Sequence, residues 1–235
     1  MNVVSIMAHQ DDEMRCLGTM LKCRERGDKL AFITLTDGSK GFVQNPGIAR
    51  EKAARIRQEE MQALAAEIDA VYINIREQDE FLYDTSEVRL KLIEAIRTTR
   101  PGIIFTHYSE DYNLDHVTVN RLVRQCAMQA CLPVIATQSS PLEEHPAVFL
   151  VEPFGPVFFP ASHYVDISKY QDAKVALLRH HASQEEPMAM VGGGGLAKIT
   201  ADVGAYRGNQ VNCAFAECFV PMQARGAVKP YSVLP

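Results

Sequence analysis

Four times in succession, a short apolar run is followed by an amphipathic stretch of helical period. The runs are "NVVSIMAH" (2–9), "KLAFITLTDG" (29–38), "AVYINIR" (70–76) and "PGIIFTHY" (101–108). The helical stretches are "DEMRCLGTMLKCRERG" (12–27), "IAREKAARIRQEEMQALAAEI" (48–68), "SEVRLKLIEAIRTTR" (86–100) and "LDHVTVNRLVRQCAMQACL" (114–132). Gly27 is a stop signal for the first helix, and Pro101 and Pro133 halt the last two. Continuous apolar strands between amphipathic helices argue for a parallel sheet joined by right-handed crossovers. The expected fold class is therefore α/β: a Rossmann-like, mostly parallel sheet with helices on both faces, a three-layer sandwich. No GxGxxG follows the first strand, so a dinucleotide is not indicated.

A chain of 235 residues suits one sizeable core rather than two. We read 1–235 as a single α/β domain that becomes less regular from about residue 134. There "AVFLVEP", "HYVDIS" and "NCAFAECFVPM" read as further strands, and "KYQDAKVALLRHHASQ" as a helix running to Gln184. "VGGGG" (191–195) is a break, either a surface loop or a mobile lid. A net charge of −5 with no Lys/Arg stripe argues against nucleic acid and anionic membranes as partners. No apolar run reaches membrane-spanning length, and no basic-then-apolar leader opens the chain, so the expected location is cytoplasmic. The six cysteines form no CxxC pair and are expected to be reduced, mostly buried thiols rather than a zinc knuckle.

In open α/β sheets, ligands bind beyond the carboxyl ends of the strands. Strand one delivers His9, Asp11, Asp12 and Glu13 to that rim; strand two delivers Thr36 and Asp37; strand three delivers Arg76, Glu77 and Asp79. Strand four adds His107 and then Glu110, Asp111, Asn113, Asp115 and His116. Carboxylates packed this densely repel one another unless something positive sits among them. A metal ion is the economical answer, and imidazole with carboxylate suits zinc, with iron or manganese open. His9 and Asp12, three residues apart where a helix begins, can share a face. His116 is the natural third ligand, and Asp11 is left over as a general base. Helix capping by Asp11 or Asp12 is the plainer reading of either residue taken alone.

At these residues the sequence resembles the LmbE / PIG-L family of zinc-dependent N-deacetylases, whose motifs A-H-P-D-D-E and H-P-D-H read here "AHQDDE" (8–13) and "NLDH" (113–116). The likeness extends to "TDGSKG", "RIRQEE", "KVALLRHHASQ" and "AFAECF", in the same order along the chain. It implies that His9, Asp12 and His116 hold one zinc ion, and that Asp11 is the base for hydrolysis of an N-acetyl group on an amino sugar or related small molecule. It also implies that Asp115 orients a histidine or its neighbouring loop and that Arg57 contacts the substrate or the active-site carboxylates; Glu13 is expected to cap the helix or to support the site by a hydrogen bond from behind, and Asp37 and His107 to contact the substrate. A homo-oligomer is the expected assembly.

The chain departs from the family pattern twice. Gln10 replaces the motif proline, which would only stiffen the turn. Asn113 replaces the first histidine of the second motif; an amide can donate a hydrogen bond to an oxyanion but is no acid near neutral pH. Proton delivery would then fall to Asp11, to His181 of "HHASQ", or to His107. The change also admits a zinc-dependent hydratase or lyase acting on a small unsaturated oxo-acid, with Arg76, Arg57 or Lys40 holding a carboxylate. A metal-binding protein without catalysis is a third reading.

Overall fold

The computed structural model describes residues 1–155, 157–192 and 194–223. The four expected strands form as β1 (Asn2–Met7), β2 (Lys29–Thr36), β3 (Val71–Glu77) and β4 (Ile103–Thr106). The helices between and after them are α1 (Leu17–Glu25), α2 (Arg50–Glu67), α3 (Ser86–Thr99) and α4 (Leu114–Gln129). Three more strands follow, β5 (Ala147–Val151), β6 (His163–Asp166) and β7 (Ala216–Pro221).

Among the described residues these seven strands form one sheet in the order β3-β2-β1-β4-β5-β7-β6. Pairing is parallel from β3 to β5 and antiparallel where β7 joins β5 and β6. Alternate residues of a strand face opposite sides. Thus Val4, Ile6 and Ala8 enter a core with Leu92, Ile96, Val119 and Leu122 of α3 and α4. Val3 and Met7 enter a second core with Leu17, Met20, Met61, Leu64, Leu178 and Ile199. Two cores on two faces of one sheet make the expected three-layer sandwich. β1 pairs with β2 on one side and β4 on the other, so the strand order reverses there. A crevice opens at the carboxyl ends of such a pair.

The sequence and the structure part company after residue 168. The single helix expected up to Gln184 is two, α5 (Gln171–Leu178) and α6 (Ala182–Gly192), broken at Arg179–His181. The segment after the glycines is helical, α7 (Leu196–Gln210), an element the sequence reading did not include. Its periodicity is diluted by Gly204, which packs closely on Phe215, and by Gly208, where the backbone of Cys213 and Ala214 leaves no room for a side chain. Gly193, inside the expected break, lies outside the described residues. The six cysteines are unpaired, and Cys16 and Cys23 share the second core.

Candidate active site

After β1 the chain does not enter α1 directly. It makes a 3₁₀ turn, Asp12–Arg15, preceded by Asp11 at φ 145°. That backbone is costly for a residue with a side chain, by about 1–3 kcal/mol, and persists only where its surroundings enforce it. Glu13 does so here: its Oε2 accepts from the Asp11 amide at 3.0 Å, and its Oε1 lies 2.6 Å from His181 Nε2. His181 is fully buried and reaches Glu13 because α5 and α6 break beside it.

The turn brings three ligand-type side chains together. His9 Nδ1 lies 3.3 Å from Asp12 Oδ2 and 3.2 Å from His116 Nε2, which is itself 3.4 Å from Asp12 Oδ1. The outward nitrogen of each imidazole meets a carboxylate: His9 Nε2 is 3.0 Å from Asp79 Oδ1, and His116 Nδ1 is 3.0 Å from Asp111 Oδ2. The Asp111 hydrogen bond fixes the His116 tautomer and turns its other nitrogen toward a metal, while Asp79, with Asp115 Oδ2 at 3.6 Å, sets negative charge beside a His9 Nε2 that has no hydrogen-bond partner among the described residues. Two further groups could be considered as ligand sets, His107–Asp111–His116 and His9–Asp79–Asp115. His107 Nε2 is already taken by the Ala8 amide at 2.9 Å. Asp115 accepts from the Glu80 and Leu82 amides, and Asp79 Oδ2 accepts from the Lys40 amide. The trio His9, Asp12 and His116 is thus the set whose donors fit a divalent cation, and imidazole with carboxylate suits zinc.

The protonation pattern has clear causes. Burial alone would lower His9, but Asp115, Asp12 and Asp79 together hold it well above the usual imidazole value. Burial likewise opposes His116, which Asp12 and Asp111 push up to about 9. Asp12, although buried, is held well below the carboxylate range by His116 and His107. His107 stacks on His116 at 3.9 Å, and burial with that neighbour lowers it to about 4. Asp11 goes the other way. Burial, aided by Asp12, raises its carboxyl, while Arg57 at 3.2 Å pulls it back.

A cleft of about 270 Å³ opens above the trio, close to the lower end of small-molecule sites. His9, Asp11, Asp12, Arg57, His107, Asn113 and His116 line it. Asn113 caps α4, its Oδ1 accepting from the Asp115 and His116 amides, while its Nδ2 donates one hydrogen to Glu80 Oε1 at 3.5 Å and carries a second N–H. Four expected site residues do not line the cleft. Glu13 and His181 lie behind Asp11, Asp115 fixes the 80–82 loop, and Asp37 binds Arg50 and the Ser39 amide. Arg76 is exposed and Lys40 lines the mouth. Sequence reasoning placed Asp79 and Asp111 on the rim without assigning them, because nothing local shows which histidine each will meet. It overlooked Arg15 and Phe154, which form one wall.

Known proteins resemble this chain over most of its length. The family model described as GlcNAc-PI de-N-acetylase (PIG-L) matches residues 4–127, more than half of the chain. The solved structure of conserved protein TT1542 from Thermus thermophilus is 26% identical with a TM-score of 0.79, over 99% of this chain and 96% of that one. Two others, each 20% identical with a TM-score of 0.81, share the fold. One is N,N'-diacetylchitobiose deacetylase from Pyrococcus horikoshii, over 94% of this chain and 83% of that one. The other is the 4-carboxy-2-hydroxymuconate hydratase GalB from Pseudomonas putida, over 99% of each chain.

Proposed function

The chain belongs to the GlcNAc-PI de-N-acetylase (PIG-L) family, and from that premise we propose that it is a zinc-dependent hydrolase removing an N-acetyl or related N-acyl group from an amino sugar or similar small molecule. One observation carries this reading: a carboxylate that is no ligand, Asp11, stands beside a complete trio of ligand side chains and is held there by Arg57. A purely structural metal site has no use for such a group.

His9, Asp12 and His116 would hold the ion. Zinc, when bound there, supplies an acidified water and polarises the acyl carbonyl. The chain's own residues do the rest. Asp11 accepts the proton of the attacking water; burial makes its carboxylate more basic than usual, and the Arg57 guanidinium limits that rise. The strained Asp11 backbone, pinned through Glu13 and His181, holds that oxygen in place. Asn113 Nδ2 is a donor for the oxyanion from the α4 side. Asn113 brings no acid and His181 is shut behind Glu13, so Asp11 returns its proton to the leaving amine.

The test is zinc content together with acetate release from a panel of N-acetylated amino sugars, for the wild type and Asp11→Asn. We expect zinc in both proteins, with turnover lost from the variant by a factor of about 10²–10⁴. Unchanged turnover in Asp11→Asn would remove this mechanism, and no acetate from any member of the panel would remove the deacylase reading.

The amide at Asn113 also favours a second reading, a hydratase on a small unsaturated oxo-acid, since hydration needs no acid for a leaving amine. The shared fold with GalB is compatible with it. Turnover of unsaturated dicarboxylates without any acetate release would select it.

A further inference from the structure

Arg15 takes no part in the reaction above, yet it lines the same cleft. It ends the 3₁₀ turn that begins at Asp12. Side chains three residues apart on a 3₁₀ turn lie in line, so Arg15 shares the face that carries Asp12. Its guanidinium sits over the Phe154 ring, 5.4 Å from the centroid. Stacking of this kind fixes the plane of the group and leaves its N–H fork available.

Among the described residues, the Arg15 guanidinium makes no hydrogen bond or ion pair. The carboxylates around it are committed to others. Glu152 is held by Arg207, Asp111 by His116, and Asp12 faces His9 and His116. A guanidinium drawn partly out of water without an acceptor is costly, and an anion in bidentate contact would offset that cost.

We propose that Arg15 is the anion-binding residue of this cleft, and that the substrate carries a carboxylate or phosphate group bound there while its acyl group lies over the His9–Asp12–His116 trio. The proposal rests on the deacylase reading for the reacting half of the substrate, and concerns the other half.

The test is calorimetric binding to the zinc-loaded protein, which requires no turnover. The probes are glucosamine, glucosamine 6-phosphate, muramic acid, inorganic phosphate and malonate, against wild type, Arg15→Lys and Arg15→Gln, each checked for zinc content and melting temperature. At least one anionic sugar should bind the wild type roughly tenfold to a hundredfold more tightly than glucosamine, as a charge-assisted contact would give. Arg15→Gln should erase that preference and Arg15→Lys restore part of it. Phosphate and carboxylate probes separate the two sources of the anion. The proposal is overturned if no anion outbinds glucosamine in the wild type, or if the preference survives in Arg15→Gln, which would place the anion on the metal. Failure of the deacylase reading would instead show as absent acetate release, with the binding preference intact.

Discussion

Arg57 Nη2 lies 3.2 Å from Asp11 Oδ1, and Arg57 is almost wholly buried. Its Nε and Nη1 have no hydrogen-bond partner among the described residues. An arginine this deep, with one partner, is there for that partner. The space beside it exists because residue 38 is glycine. At φ +65° it tolerates the turn, and a Cβ there would stand 3.0 Å from Arg57 Nε and 2.2 Å from Gln10 Oε1.

Removing the Arg57 charge should move the pH dependence of catalysis. Arg57 lowers the Asp11 pKa against burial, so Arg57→Met lets it rise. The base must be ionised, so the acidic limb of kcat/KM shifts to higher pH. Each unit of rise above the assay pH costs about tenfold in ionised base. A pH–rate profile of zinc-loaded Arg57→Met checks this; an unmoved acidic limb argues that Arg57 does not control Asp11.

Asp79 should govern metal affinity without being a ligand. It stands 3.0 Å from the His9 nitrogen that faces away from Asp12 and His116. Asp79→Ala removes a carboxylate that favours the charged form of that imidazole and so lowers its basicity. Zinc affinity, measured by competition with a chromophoric chelator, should fall about 10–100-fold. Equal affinity in variant and wild type would show that His9 is oriented by other contacts.

Arg97 should matter for stability and not for catalysis. It is buried away from the cleft, and its guanidinium donates to the Ala130, Leu132 and Ile135 carbonyls and to Thr137 Oγ1. Arg97→Ala would strand those acceptors. We expect a loss of about 2–4 kcal/mol in urea unfolding, with zinc content unchanged. A loss well under about 1 kcal/mol would mean that the 130–139 segment rearranges to satisfy itself.

Glu94 should add an acid-sensitive increment. The Ser139 hydroxyl and amide bind its carboxylate and hold its pKa down at about 2, against the usual 4.5. A carboxyl depressed in the folded state stabilises the protein above its unfolded pKa, and that increment disappears as pH falls through the folded value. The melting-temperature advantage of wild type over Glu94→Gln should therefore be constant above about pH 5 and shrink between about pH 4.5 and 2. An advantage independent of pH would contradict this.

The chain's own order determined much of this protein. Apolar runs alternating with helical periods dictate parallel strands, and parallel strands deliver their carboxyl ends to one rim. His9, Asp12 and His116 were therefore legible as neighbours although 107 residues separate the first from the last. Asp11 was legible as the carboxylate left over. The tertiary structure alone decided the partners of these groups. Asp79 belongs to His9 and Asp111 to His116; Glu13 meets His181 across 168 residues; Arg15 has no hydrogen-bond or ion-pair partner among the described residues. The break that turns His181 inward lies within a stretch whose helical period continues on both sides. The physical reason is one of range. Strand and helix periods are set by residues a few positions apart, and the sequence records them directly. Hydrogen bonds, desolvation and pKa values depend on distances of a few ångströms between elements far apart in the chain, and those distances exist only once the sheet and its helices have packed.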